Sequence, residues 1–299
     1  MSLNSFLHGM NLYVNRSRMV GHYPEIKPKE DRVNLYDYHP ELISYGKETR
    51  YNNSRYNLGD YLGFVIVNWM LEKRNLSLDS PTCGKKFLNS VGSNVFCSYQ
   101  NCTIWGSGAM YEPKSIWKYL SYYPFRKLDV RAVRGPLTRD VVLKFGHKCP
   151  EVYGDPAILM PLIYQPEKKT EYNEFCIIPQ FYVEKGLRMK YPNHSMVSMN
   201  TDDYKSVIDA IVSSEKVVTS SLHGIILAES YGVPAVFFRS LDKVIDFKYL
   251  DYYYSTGRCD IRIAESIEEA LEMEPLPLPD LSALQQGLLD SFPYDLWEK

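Results

Sequence analysis

The sequence predicts an α/β fold with largely parallel sheets. Short apolar runs alternate with longer stretches of helical periodicity along most of the chain. At Arg134-Gly135-Pro136 and again at Ser220-Ser221-Leu222-His223-Gly224, such a run passes through a turn directly into a helical pattern, as when a strand feeds a crossover helix. No internal repeat or low-complexity block breaks the alternation. A length of 299 residues exceeds one ordinary core and suits two.

The elements follow in order. The polar, Asn- and Arg-rich residues 1–30 read as a loosely held extension. Val33-Asn34-Leu35-Tyr36 predicts a first strand. Asn57-Leu58-Gly59-Asp60 opens a helix running to about Arg74, with Asp60 as its cap and Leu62, Val65, Ile66, Trp69 and Met70 as one apolar stripe. Cys102-Thr103-Ile104-Trp105 predicts a strand ending at Gly106-Ser107-Gly108, and Val130-Arg131-Ala132-Val133 another. Pro136 suits the first position of the next helix, where its missing N–H costs nothing. Leu137, Val141, Val142 and Phe145 line that helix, and Gly146 ends it. Val152-Tyr153 leads into Gly154-Asp155-Pro156.

The chain turns polar at Pro166-Glu167-Lys168-Lys169-Thr170, which places a boundary there. Beyond it, Phe175-Cys176-Ile177-Ile178 and Met196-Val197-Ser198 predict strands, and Thr201 caps a helix with Val207, Ile208, Ile211 and Val212 on one face. Val217-Val218 is a strand ending at Thr219-Ser220-Ser221. A helix from His223 to Tyr231 stops at Gly232 and Pro234, and Ala235-Val236-Phe237-Phe238 is the next strand. Pro275, Pro277 and Pro279 stiffen a connector to a last helix, Asp280 to Asp290.

Composition narrows the function. A hydrophobic fraction of 45%, a charged fraction of 23% and a net charge of −2 describe an ordinary globular protein without general attraction to nucleic acid or anionic membrane. The six cysteines, Cys83, Cys97, Cys102, Cys149, Cys176 and Cys259, form no CxxC pair and have no His at ligand spacing, so neither a zinc site nor a disulfide framework is expected. The apolar runs fall short of a membrane span, and no signal peptide is expected. The 25 tyrosines serve either as half-buried packing groups or as flat faces for sugar rings.

The strand-to-helix turns carry the chemistry. Ligands of open α/β sheets bind beyond the carboxyl ends of the strands, where helix N-termini present unpaired N–H groups to anions. Ser220, Ser221, His223 and Gly224 at such a turn read as an anion site or, more plainly, as a cap beside a core histidine. Arg134 stands at the other turn, where a guanidinium either grips phosphate or carboxylate two-pronged or forms a surface ion pair. Asp60 and Asp155 read as cap and turn residues or as acids. Gly106-Ser107-Gly108 lacks the third glycine and the lysine of a nucleotide loop.

Four segments in this order and spacing resemble the polysaccharide pyruvyl transferase family: NLGD at Asn57–Asp60, AVRGPLTRDVVLKFG at Ala132–Gly146, YGDPAILMP at Tyr153–Pro161 and SSLHGIILAESYGVPAVFF at Ser220–Phe238. FKYLDYYYSTGR, Phe247 to Arg258, further resembles the branch found in exopolysaccharide gene clusters. The resemblance implies two Rossmann-like domains facing across a cleft, similar to the GT-B glycosyltransferases. Residues 31–165 would form the acceptor side, 166–265 the donor side, and 266–299 a connector and helix packing back on the first domain. It implies phosphoenolpyruvate as co-substrate, no other cofactor and no metal. The acceptor it implies is a sugar in a lipid-linked oligosaccharide or polysaccharide of bacterial exopolysaccharide or capsule synthesis.

On that resemblance His223, Asp60 and Asp155 are catalytic. It places Arg134 near the donor's anionic groups; Ser220, Ser221, Gly224 and Arg239 are further expected on the donor, and Asn57, Gly106 and Ser107 on the acceptor. Many members carry Arg where Ser221 stands here, and Arg239 is the expected replacement. A cytoplasmic protein in peripheral contact with the inner membrane face is expected, with no nucleic-acid partner. Two rivals share the outline: a nucleotide-sugar glycosyltransferase of the same architecture and a non-catalytic glycan-binding relative.

Overall fold

A computed structural model describes residue 7 and residues 29–36, 57–96, 101–112, 126–167, 172–180, 183–240 and 246–298. The expected extension at residues 1–30 and Cys97 lie wholly or almost wholly outside them.

All named strand pairs are parallel. Strands β1 (Val33–Leu35), β2 (Lys86–Asn89), β3 (Cys102–Trp105) and β4 (Leu128–Ala132) form one sheet in that order, and a parallel bridge from Val133 to Tyr153 continues it. Strands β5 (Asn173–Ile178), β6 (Ser214–Thr219) and β7 (Ala235–Phe237) form a second. Single parallel bridges, Ile177 to Met196 and Phe238 to Ala264, add to it. Met196-Val197-Ser198 therefore contributes one bridge where a full strand was expected. Parallel sheets with helical crossovers make this a Rossmann-like α/β fold.

The helices are α1 (Leu58–Glu72), α2 (Pro136–Lys144), α3 (Glu184–Lys190), α4 (Tyr204–Val212), α5 (Leu222–Ser230), α6 (Asp246–Ser255), α7 (Ile267–Glu272) and α8 (Ser282–Asp290). Two expected caps move. Asn57, not Asp60, is the N-cap of α1, and Asp60 sits in the first turn, where its Oδ2 accepts from Asn57 Nδ2 at 2.6 Å. Asp203, not Thr201, caps α4 by accepting from Ser206 N. Each carboxylate takes the N–H groups its own position offers.

The main core gathers Leu58, Leu62 and Ile66 of α1, Ile225 and Ile226 of α5, and Tyr249 and Tyr252 of α6. Between α1 and α5 lies a 3-10 turn, Pro156–Leu162, in which Ala157, Ile158, Leu159 and Met160 are all fully buried. A segment enclosed on every side needs an unbroken apolar run rather than a stripe, and Ala157-Ile158-Leu159-Met160 is one. Near the C-terminus, Leu288 O accepts from Trp105 Nε1 at 3.0 Å, and Phe292 meets the Trp105 ring edge-on.

Candidate active site

α2 and α5 start directly at the carboxyl ends of β4 and β6, so their first turns sit where an α/β fold presents ligand groups. α5 begins at Ser221 in extended conformation, with no side-chain cap bond. Thr219 Oγ1 donates to Ile178 O and accepts from Ser221 N, fixing this turn. Gly224 lets α5 approach it, since a Cβ there would stand 2.4 Å from Thr219 Oγ1. Ser220 Oγ accepts from Gln180 N, and Ser220 O accepts from Tyr249 OH at 2.6 Å. Ser220 and Gly224 thus shape the turn.

His223 projects from that turn onto α1. A Cβ on Gly59 would stand 2.0 Å from His223 Nδ1, so only glycine leaves room for the ring. On its other side His223 Nε2 faces Asp155 Oδ2 at 3.7 Å. Among the described residues neither atom has a hydrogen-bond partner, although Asp155 is fully enclosed. Asp155 Oδ1 is used locally, accepting from Ala157 N at the head of the buried turn. Unpartnered buried polar atoms are costly and uncommon. Here an imidazole and a carboxylate confront each other just beyond hydrogen-bond distance. Three of the sequence motifs, Asn57–Asp60, Gly154-Asp155-Pro156 and Ser220–Gly224, meet at this point.

Arg134 lies differently from the exposed fork expected of a two-pronged anion clamp. It is fully buried. Nε donates to Asp251 Oδ2 at 3.0 Å, Nη1 to Ser93 Oγ at 2.7 Å and Nη2 to Ala109 O at 2.6 Å. Asp251 also accepts from Thr138 N and Thr138 Oγ1. Gly108 and Gly135 admit this arrangement, because a Cβ on either would collide with Arg134 Cζ or Asp251 O. Arg134 therefore reaches the site as a fixed positive charge, its fork spent on protein groups.

The remaining expected residues divide similarly. Ser107, fully buried, donates to Gly92 O, and Gly106, at φ +79°, packs under the Pro156 ring. Ser107 thereby supports the loop carrying Gly92 and Ser93, and Asp60 Oδ1 lies against Gly92, 2.7 Å from where a Cβ would be. Asn57 holds Asp60. Arg239 pairs through Nη1 with Glu265, at the second sheet.

α6 supplies what sequence reasoning did not single out. Asp251 clasps Arg134, Tyr249 stacks on Phe237 with centroids 4.0 Å apart, and Lys248 faces Asp60 and Arg134 electrostatically. Burial, and then the Arg134 charge, push the Lys248 amine down to about 7, with Asp60 pulling it up. These residues belong to the stretch Phe247 to Arg258, which no motif of the strand-to-helix turns includes. Its spacing held the signal, since Lys248 and Asp251 stand three apart on one helix face.

Among the described residues no group of three or more His, Cys, Asp or Glu side chains is placed to hold a metal. Burial raises Cys149 and Cys176 to about 12, so neither is a thiolate nucleophile at neutral pH. No helix among the described residues is long and apolar enough to cross a membrane.

The polysaccharide pyruvyl transferase family model matches residues 30–242, and those residues hold the whole His223, Asp155 and Gly59 constellation. This chain belongs to the polysaccharide pyruvyl transferase family. The chain is also similar to Uncharacterized protein L143 of Acanthamoeba polyphaga mimivirus, 29% identical over 208 residues, 66% of this chain and 69% of that one. Family membership makes the protein a transferase acting toward a polysaccharide acceptor. α6, with Lys248 and Asp251, lies beyond the matched residues.

Proposed function

We propose that this protein transfers the pyruvyl skeleton of phosphoenolpyruvate onto two hydroxyls of one sugar in a cell-surface polysaccharide precursor, closing a cyclic ketal and releasing phosphate. The observation that carries the reading is the confrontation of His223 Nε2 with Asp155 Oδ2 at 3.7 Å, both unpartnered, at the N-terminus of α5. An acid that also serves as a base suits this reaction. The methylene carbon of phosphoenolpyruvate takes a proton from His223, and C2 becomes electrophilic. The first sugar hydroxyl bonds to C2 and returns its proton to His223. The C2–O bond to phosphate then breaks, the second hydroxyl closes the ring, and its proton leaves with phosphate. Two hydroxyl protons are thus released, one regained by His223 and one carried off.

Asp155, 3.7 Å from His223 Nε2, sets the position of the imidazole that starts the cycle. General acid–base catalysis of this kind contributes about 10²–10⁴-fold. The first turn of α5 and the fixed charge of Arg134 favour the donor's anionic groups as phosphate departs. Asp60 is assigned to the acceptor hydroxyl, with Asn57 holding it. In this reading the chain divides near residue 165 into acceptor and donor sides facing across a cleft, as in GT-B glycosyltransferases. Its acceptor is lipid-linked or a growing glycan, met at the inner membrane face.

The test is phosphate release from phosphoenolpyruvate with and without candidate acceptor glycans, alongside thermal unfolding with phosphoenolpyruvate, UDP, CMP and GDP. A ligand at ~100 times its dissociation constant stabilises by about 2.7 kcal/mol, readily seen in such a measurement. Stabilisation by phosphoenolpyruvate alone, with release abolished in His223→Ala, supports the reading. Stabilisation by a nucleotide alone replaces it with nucleotide-sugar transfer.

A further inference from the structure

The first turn of α6 holds a lysine that the reaction above leaves unused. Lys248 is only 9% exposed. Its ammonium group makes no hydrogen bond to any described residue, yet Nζ is not among the sealed polar atoms, so it keeps an opening to the space beside it. Its neighbours are the Tyr249 ring, with Nζ 4.9 Å from the centroid, the Asp60 carboxylate of α1 and the Arg134 guanidinium. Both charged neighbours are engaged elsewhere, Asp60 by Asn57 and Arg134 by Asp251.

A covered cation without a dedicated counter-ion is costly to the folded chain. Such a group persists where something outside the chain offsets it. The geometry says what that is. Tyr249, the next residue, is fastened to Ser220 O before the uncapped N-terminus of α5, and Asp60 follows the glycine that His223 packs against, so Lys248 lies among the groups of this site. Arg134 adds a second buried positive charge.

We propose that Lys248 is the receptor for the donor's phosphate group, acting with the first turn of α5. The assignment rests on the pyruvyl-transfer reading only for the identity of the donor. Burial holds the free amine close to half-protonated at neutral pH. A phosphate arriving there draws a proton onto it, against the opposing Arg134 charge and together with Asp60.

The experiment is calorimetric titration of the purified protein with phosphoenolpyruvate and with UDP-glucose, in wild type and Lys248→Met. Each free protein is also melted. Wild type is expected to bind phosphoenolpyruvate, and Lys248→Met to bind it about ten- to a hundredfold more weakly. The free variant should melt no lower than wild type, because an unpartnered buried amine has been replaced by an apolar chain of similar length. A lysine that merely supported the fold would give the reverse, a lowered melting temperature with affinity intact. Should Met at this position prevent folding, Lys248→Gln carries the same comparison.

Equal phosphoenolpyruvate affinity in wild type and variant overturns the Lys248 assignment and leaves pyruvyl transfer standing. Binding of UDP-glucose alone, weakened in the variant, keeps Lys248 as phosphate receptor and removes phosphoenolpyruvate as donor. A wild type that binds neither donor overturns both.

Discussion

The His223 ring occupies the space a side chain at Gly59 would need, with Nδ1 2.0 Å from the position of a Cβ there. The glycine of Asn57-Leu58-Gly59-Asp60 is thus explained by a residue 164 positions later. Gly59→Ala should displace the imidazole from Asp155. A misplacement of about 1 Å near reacting groups costs on the order of 10²-fold in rate. Alanine also favours an α-helix by about 1 kcal/mol over glycine. The expected variant is folded and close to wild type in urea denaturation, with turnover lowered about a hundredfold. Full activity would show that the ring position does not matter.

Asp155→Asn separates charge from shape. The amide oxygen can still accept from Ala157 N, so the buried turn should survive, but His223 loses its anionic partner. The ring then loses the group that sets its position, and kcat should fall about 10²-fold while the urea midpoint stays near wild type. Unchanged turnover would confine Asp155 to capping.

Arg134 and Asp251 form a pair with no exposure on either side. Removing one partner of such a pair costs about 3–5 kcal/mol, since the other charge is left buried and alone. Asp251→Ala should therefore lower the unfolding free energy by that much, read as a lower urea midpoint, and Arg134→Met combined with Asp251→Leu should recover part of the loss. An unchanged midpoint in Asp251→Ala would mean that the pair carries no net stability.

Lys248 sets a pH dependence of stability. Its folded pKa, about 7, lies below that of an unfolded lysine, so the unfolded chain binds more protons between the two values. Stability should rise as pH climbs from about 7 toward the unfolded lysine value of about 10.4. Below pH ~7 the penalty of the buried charge is fully present. The stability advantage of Lys248→Met should accordingly be greatest at pH 6 and shrink by pH 9. A difference independent of pH would show an amine that titrates normally.

The sequence was most readable where one local signal dominated. Pro136 marked the start of α2, and the apolar run through Val217-Val218 marked β6. Other elements hid for physical reasons. β2 is four residues, Lys86–Asn89, too short for its period to register. α6 buries Tyr249, Tyr252 and Tyr253 where aliphatic side chains would give a stripe, satisfying the first two hydroxyls with Ser220 O and Glu229. Those tyrosines are packing groups. The meeting of His223 with Gly59 and Asp155 followed from motif order only in outline. The burial of Arg134 depends on Asp251, 117 residues away, and no local pattern reports it.

α6 touches the first sheet's turn through Asp251 and the second sheet's turn through Tyr249, two residues apart on one short helix. Fluctuations that lift this helix release both turns together. Amide exchange at the starts of α2 and α5 should therefore share one opening free energy, although these segments belong to different sheets. Such a latch synchronises the two sides of the site, so that neither is open to solvent while the other is still assembled.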